Sequence, residues 1–254
     1  MSSASERGSA AIQASVIPGH AHGTRIGPLP ECSGLVMAGG EGRRMGGLDK
    51  GLLRWGNSTL AAHAAARLGQ RCQPVVISAN RNLEHYEALG LSTVRDLRVE
   101  RAGPLAALEA GLHASADRWL VAVPCDSPLF PFDLPDRLWQ SVFAPLRNGQ
   151  RPPKAAYARC AGELHPAFCI LDTGLAGTLT RFIDDGGRRM TDWWQAIGAQ
   201  SVDFGAGCAA AFANANTPEA YQTLSASAAD APGNGLTAEV AAVTDLISSK
   251  DRPC

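Results

Sequence analysis

Short apolar runs separated by helix-like segments constrain this chain more than any other feature of it. The runs "GLVMA" (34–38), "PVVISA" (74–79), "STVR" (92–95) and "WLVAVP" (119–124) have the length and β-branched content of buried strands. Between them, "TLAAHAAARLGQR" (59–71), "NLEHYEALG" (82–90) and "GPLAALEAGLHAS" (103–115) read as helices, with Thr59 near one N-cap and Pro104 near another start. Strand alternating with helix predicts an α/β fold: a single Rossmann-like domain with a mostly parallel sheet and helices on both faces. In such sheets ligands bind beyond the carboxyl ends of the strands.

The ends of the chain read differently. Residues 1–31 are rich in Ser, Ala, Gly and Pro without helical or strand period, and are expected to be a flexible extension. Residues 225–254 are expected to be a flexible tail, with "TAEVAAVTDLISS" able to form one short helix. The folded domain is then expected over 32–224. A net charge of −1 argues against nucleic-acid binding by bulk electrostatics, so basic chemistry has to be local. No apolar run has the length of a membrane span, and no secretory h-region follows a basic start. The seven cysteines form no CxxC pair and no zinc spacing, so they are expected to be reduced thiols in a cytoplasmic protein.

Two polar motifs fall at predicted strand ends. The first is the glycine-rich run "VMAGGEGRRMGGLDKG" (36–51), which holds Arg43, Arg44 and Lys50. It matches neither the Walker pattern nor the dinucleotide fingerprint, where Met45 stands in the place of the third glycine. Its chemistry still suits an anion, because glycines let backbone N–H groups converge on an oxyanion that the cations neutralise. The second motif is "PCDSP" (124–128). Asp126, stiffened between prolines just past a strand, is placed to hold Mg²⁺ beside phosphates.

The run from Ala38 through "RRMGGLDKG" resembles the signature of the molybdenum cofactor guanylyltransferases, the MobA-type members of the nucleotidyltransferase superfamily. "SANR" (78–81), Asp96, "GPLAAL" (103–108), "PCDSP", His165–Pro166, Arg188–Arg189 and "NANTPE" (214–219) follow in family order. The resemblance spans about residues 34–224 and is carried by the combination of motifs. It implies transfer of GMP from Mg-GTP to the phosphate of the molybdenum-pterin cofactor, with pyrophosphate released. The implied partners are GTP, molybdenum-molybdopterin and, transiently, cofactor-synthesis proteins and recipient molybdoenzymes.

Residue by residue, the resemblance implies nucleotide contacts at Met37, Ala38, Gly39, Gly40, Lys50, Ser78, Asp96 and Asp126, with Asp126 as the metal ligand. Lys50, Arg44 and Asp126 are the catalytic candidates, because fixed cations stabilise charge moving onto the leaving oxygens. Arg44, Arg188, Arg189, Asn214 and Asn216 are the implied pterin-side residues. Asn214 and Asn216 flank Ala215, so extended backbone would turn both amides to one side. Ser78 stands where the family often has Asn; Asn80 is the alternative amide, on the same face if the strand has no bulge. His165 and Cys125 are expected to be structural, since an ionised phosphate needs neither a general base nor a covalent relay.

Three rivals follow. A cytidylyltransferase on the same cofactor tends to carry "AAG" where this chain has "AGG" at 38–40, and the extra glycine leaves room for a purine. A sugar-phosphate nucleotidyltransferase fits "RRMGGLDKG" and the asparagine pair less well. A nonenzymatic pterin carrier would not need Asp126 or Mg²⁺.

Overall fold

The computed structural model describes residues 27–40, 47–98, 103–143 and 151–229. In chain order its elements are β1 (Cys32–Met37), β2 (Arg54–Trp55), β3 (Ser58–Thr59), α1 (Leu60–Leu68), β4 (Val75–Ser78), α2 (Leu83–Ala88), β5 (Ser92–Val94), α3 (Pro104–Ala114) and β6 (Trp119–Pro124). They continue with α4 (Leu134–Phe143), β7 (Ala155–Cys160), β8 (Glu163–Asp172), α5 (Ala176–Asp184), α6 (Met190–Ala196), β9 (Gln200–Asp203) and α7 (Pro218–Ala229). The main sheet among the described residues runs β5-β4-β1-β6-β8-β7-β9. Its β5-β4-β1-β6 part is parallel throughout, β8 pairs antiparallel with both β6 and β7, and β9 is parallel to β7.

The unbroken apolar runs of β1 and β6 are explained by burial on both sides of the sheet. Val36, Val121 and Val123 pack in one cluster with Ala64 and Leu68 of α1 and Leu138 of α4. Leu35, Met37, Leu120 and Ala122 point the other way, into a cluster with Leu108 and Leu112 of α3, Leu179 of α5 and Trp193 of α6. Helices therefore cover both faces, as the alternation of runs predicts. From β1 the chain builds outward to β4 and β5, then returns to place β6 on the opposite side of β1. That reversal opens a crevice at the carboxyl ends of β1 and β6, the place where doubly wound sheets take ligands.

The structure departs from the sequence reading in three places. The fold begins before residue 32: Leu29 is buried and its N–H donates to the Arg71 carbonyl at 2.7 Å. It also runs past residue 224, because α7 extends to Ala229 and buries Ser225. Tyr221 and Leu224 of that helix pack on Leu53 and Trp55 of the β2–β3 hairpin, an apolar contact invisible to local periodicity. Third, Cys160 and Cys208 form a disulfide, so the expectation of reduced thiols fails at these positions. The end of β7 and the turn after β9 bring together two cysteines 48 residues apart, and no spacing rule signals such a pair. Residues 1–26 of the expected extension (1–31) and residues 230–254 of the expected tail (225–254), Cys254 among them, lie outside the described residues. Among the described residues no helix is long and apolar enough to cross a membrane.

Candidate active site

The crevice holds a cavity of about 420 Å³, lined by the ends of strands and the start of one helix. Met37, Ala38, Gly39 and Gly40 come from the end of β1 and its loop; Asn80 and Asp96 follow β4 and β5; Pro124, Cys125 and Asp126 follow β6. Gly103, Pro104 and Ala107 of the α3 start and Ala167 of β8 complete the wall. Gly103 has φ 58° and ψ −138°, a conformation that only glycine adopts readily, and it turns the chain into α3 at the cavity edge. The volume lies in the range of small-molecule and cofactor sites.

Lys50 enters this wall from a 3-10 turn over Lys50–Leu52, capped by Asp49, whose Oδ1 accepts from the Gly51 N–H at 3.2 Å. Its ammonium stands 3.2 Å from Asp126 Oδ2 and also donates to Asn216 Oδ1. Both side chains of the ion pair are 18% exposed. An ammonium donor and a carboxylate acceptor thus lie side by side, partly shielded from water, where electrostatic contacts are stronger than in bulk.

Asp96 forms the other polar pole. Its Oδ2 accepts from Asn80 Nδ2 at 2.7 Å, its Oδ1 from Ser78 Oγ at 3.3 Å, and its backbone N–H donates to Asn80 Oδ1 at 3.0 Å. Ser78 is fully buried beneath the wall, whereas Asn80 reaches the cavity itself. The two residues point to the same carboxylate, as period-two alternation requires.

The C-terminal asparagines arrive from the far end of the chain. The Ala215 N–H donates to the Asp126 carbonyl at 2.7 Å, Asn214 Oδ1 accepts from the buried Ser127 hydroxyl, and Asn216 reaches Lys50. Arg188 and Arg189 stand outside the cavity lining. The Arg188 guanidinium donates to the Ile183 and Gly187 carbonyls at 2.9 and 2.8 Å, at the carboxyl end of α5, where a cation complements the helix dipole. Arg44 lies outside the described residues, as does Arg43.

A family model for the MobA-like NTP transferase domain matches residues 34–200. The chain belongs to this family. It is 39% identical to the molybdenum cofactor guanylyltransferase of Ralstonia nicotianae over 202 residues, covering 75% of this chain and 94% of the relative. It is 40% identical to the molybdenum cofactor guanylyltransferase of Serratia proteamaculans over 189 residues, covering 74% and 91%. Among solved structures, the molybdopterin-guanine dinucleotide biosynthesis protein A of Archaeoglobus fulgidus shares the fold with a TM-score of 0.59 at 17% identity. That alignment covers 76% of this chain and 96% of that one.

Within this MobA-like nucleotidyltransferase, Cys125 is buried at the wall, and burial with Asp126 and Asp49 nearby pushes its thiol well up. That environment suits a packing thiol and disfavours a thiolate. His165 stacks on Phe212 with ring centroids 4.5 Å apart, and burial lowers its pKa, which suits a neutral packing ring. Sequence reasoning assigned no part to Asp49, Arg81 or Tyr86. Asp49 is adjacent to Lys50 in sequence and its carboxylate points away from the cavity, a divergence that only the 3-10 turn creates. The one available signal was Asp in a cap position two residues before a glycine.

Proposed function

We propose that this chain transfers GMP from GTP to the phosphate of molybdenum-molybdopterin, giving the guanine dinucleotide cofactor and pyrophosphate. The observation that carries the reading is the Lys50–Asp126 pair at the β1/β6 switch point, facing a cavity whose other pole is Asp96. A phosphate oxygen of the pterin forms a bond to the α-phosphorus of GTP. The bond from that phosphorus to the β-phosphate oxygen breaks, and pyrophosphate leaves with the electron pair. Lys50 neutralises charge on the nucleotide phosphates, and the N–H groups of the glycine loop orient them. The residues act by positioning and charge compensation, with no covalent enzyme intermediate.

Asp126 fits a magnesium ion, because Mg²⁺ is commonly held by one or two carboxylates plus substrate phosphates. Among the described residues no group of three or more His, Cys, Asp and Glu gathers, which suits this shared form of ligation better than an all-protein cage. When bound, the ion supplies Lewis-acid neutralisation of the phosphates. Asp96 is acceptor-only when ionised and complements the N–H donors of guanine, while Asn80 and Ser78 fix its direction. A Cβ at position 39 would meet Asn80 Nδ2 at 3.2 Å, which supports the reading that "AGG" leaves room for a purine. Arg44, Asn214 and Asn216 are assigned to the pterin side, with Arg188 and Arg189 as outer contacts. The reaction is placed in the cytoplasm, where the product passes to recipient molybdoenzymes.

The test is pyrophosphate release from purified protein with molybdenum-loaded pterin and Mg²⁺, given GTP, CTP or ATP separately. Release with GTP alone is expected. Release with CTP instead would make the enzyme a cytidylyltransferase, and pterin binding without release from any nucleotide would make the chain a carrier.

A further inference from the structure

We infer that Arg81 and Asp49 form a positioning clamp that holds Gly40, Gly47 and Leu48, on either side of residues 41–46, and aims Lys50 into the cavity. The inference rests on the reading of that cavity as the nucleotide site. Arg81 follows β4, and its guanidinium spans the neck of the loop. Nη2 donates to the Gly40 carbonyl at 3.3 Å and the Leu48 carbonyl at 2.9 Å, while Nη1 donates to the Gly47 carbonyl at 2.8 Å. One planar donor fork therefore holds residues on both sides of the run that begins after β1 and ends before Lys50. Lysine lacks that geometry, being a point charge on a flexible stem.

Asp49 closes the clamp from below. Its side chain is 6% exposed, and Arg81 Nε stands 3.9 Å from Oδ2. Oδ2 also accepts from Asn82 Nδ2 at 3.0 Å, and Oδ1 accepts from the Tyr86 hydroxyl at 2.7 Å as well as from the Gly51 N–H. Asn82 reaches the carboxylate from a left-handed conformation, φ 53°, which asparagine tolerates. Gly51 is required beside it, because a Cβ there would lie 2.3 Å from the Tyr86 hydroxyl oxygen. The consequence is electrostatic as well as geometric. The charge of Asp49 is satisfied by Arg81, Asn82 and Tyr86, so Lys50 is drawn to Asp126 and Asn216 and not back onto its sequence neighbour.

The test is a double-mutant cycle on the full chain, reading GTP affinity by calorimetry and turnover by pyrophosphate release. Arg81→Ala is expected to weaken GTP binding about 10-fold to 100-fold, the scale of a misplaced positioning contact. Arg81→Lys should not restore it. In a Lys50→Ala background the same change should cost little, because Arg81 acts through Lys50. Equal affinity of Arg81→Ala and the parent chain, or an undiminished loss in the Lys50→Ala background, overturns the clamp while leaving the nucleotide site intact. Absence of GTP binding by the parent chain overturns the site reading and the clamp together. Should Arg81→Ala fail to fold, Tyr86→Phe removes one donor to Asp49 and is expected to weaken GTP binding several-fold, again only when Lys50 is present; no change in affinity overturns the clamp.

Discussion

The two flanks of the central sheet are built on different principles. The β5-β4-β1-β6 part is parallel, and its inner strands β1 and β6 are covered on both faces; every strand end carries a residue of the cavity wall. The β8-β7-β9 part contains the antiparallel pairings, begins exposed at Glu163 and Leu164, and contributes Ala167 alone to the wall. The first flank supplies most of the cavity wall, and the second buttresses it. The chain after β9 then crosses back to bring Asn214 and Asn216 to the site. The lesson is that a binding crevice needs the strand ends of one sheet half, held still by the other.

Three substitutions probe this division. The largest effect is expected from Asp126→Ala, on the first flank. Turnover should fall at least about 100-fold, as for loss of one preorganised charge at a reacting phosphate, with the thermal midpoint little changed. A comparable loss of stability would mean that Asp126 holds the two parts together and does no separate chemistry.

Next comes Glu109→Ala, which cuts a junction between the parts. Glu109 of α3 is 2% exposed, takes two bonds from Arg98 at 2.6 and 2.7 Å, and accepts from Thr180 of α5 at 2.8 Å. Removing the carboxylate deletes charge-assisted hydrogen bonds to a partly exposed Arg98, which keeps Asp184, and should cost about 2 kcal/mol in denaturant unfolding. The Arg98 guanidinium holds the Glu109 carboxyl below its ordinary pKa. Its contribution is therefore complete above the usual glutamate range and lost as pH falls through the lower, folded value. The parent chain should lose more stability than the alanine variant on acidification below the ordinary glutamate pKa of about 4.3. Identical acid titration curves would remove Glu109 from that role.

The smallest effect is expected from Ser127→Ala, which deletes the buried hydroxyl that meets Asn214. A loss of about 1 kcal/mol in stability is expected for one such bond. If unfolding then splits into two transitions, the C-terminal return is an independently melting unit; a single transition keeps the parts cooperative.

Legibility follows the same division. β1, β4 and β6 could be read because buried parallel strands are largely continuous apolar runs, β5 from the β-branched pair in "STV" despite its exposed start, and α1 and α3 because Thr59 and Pro104 mark their starts. The β7–β8 hairpin escaped, since its strands mix buried and exposed positions and its turn is Ala161–Gly162, both with positive φ, in place of an Asn-Gly or Asp-Gly signal. At the site, Asp126 stood out as a carboxylate just past an apolar run and Lys50 as a cation of the glycine-rich run, Asp96 was implied by the family resemblance, and the structure brings all three to one cavity. Asn80 and Ser78 could be named as alternatives, but local pattern could not say that one faces the cavity while the other lies beneath it.

The sequence by itself determined the α/β architecture, the family, and the loops that carry the charged groups, because apolar period and motif order are local properties of the chain. Only the tertiary structure decided which way each charge points. Asp49 and Lys50 are neighbours with opposite destinations, and the turn that separates them is held by Arg81, Asn82 and Tyr86 from a different part of the chain. Asn216 meets Lys50 across 166 positions because α7 buries Tyr221 and Leu224 on the β2–β3 hairpin. Those directions depend on packing between distant segments, which no local pattern encodes.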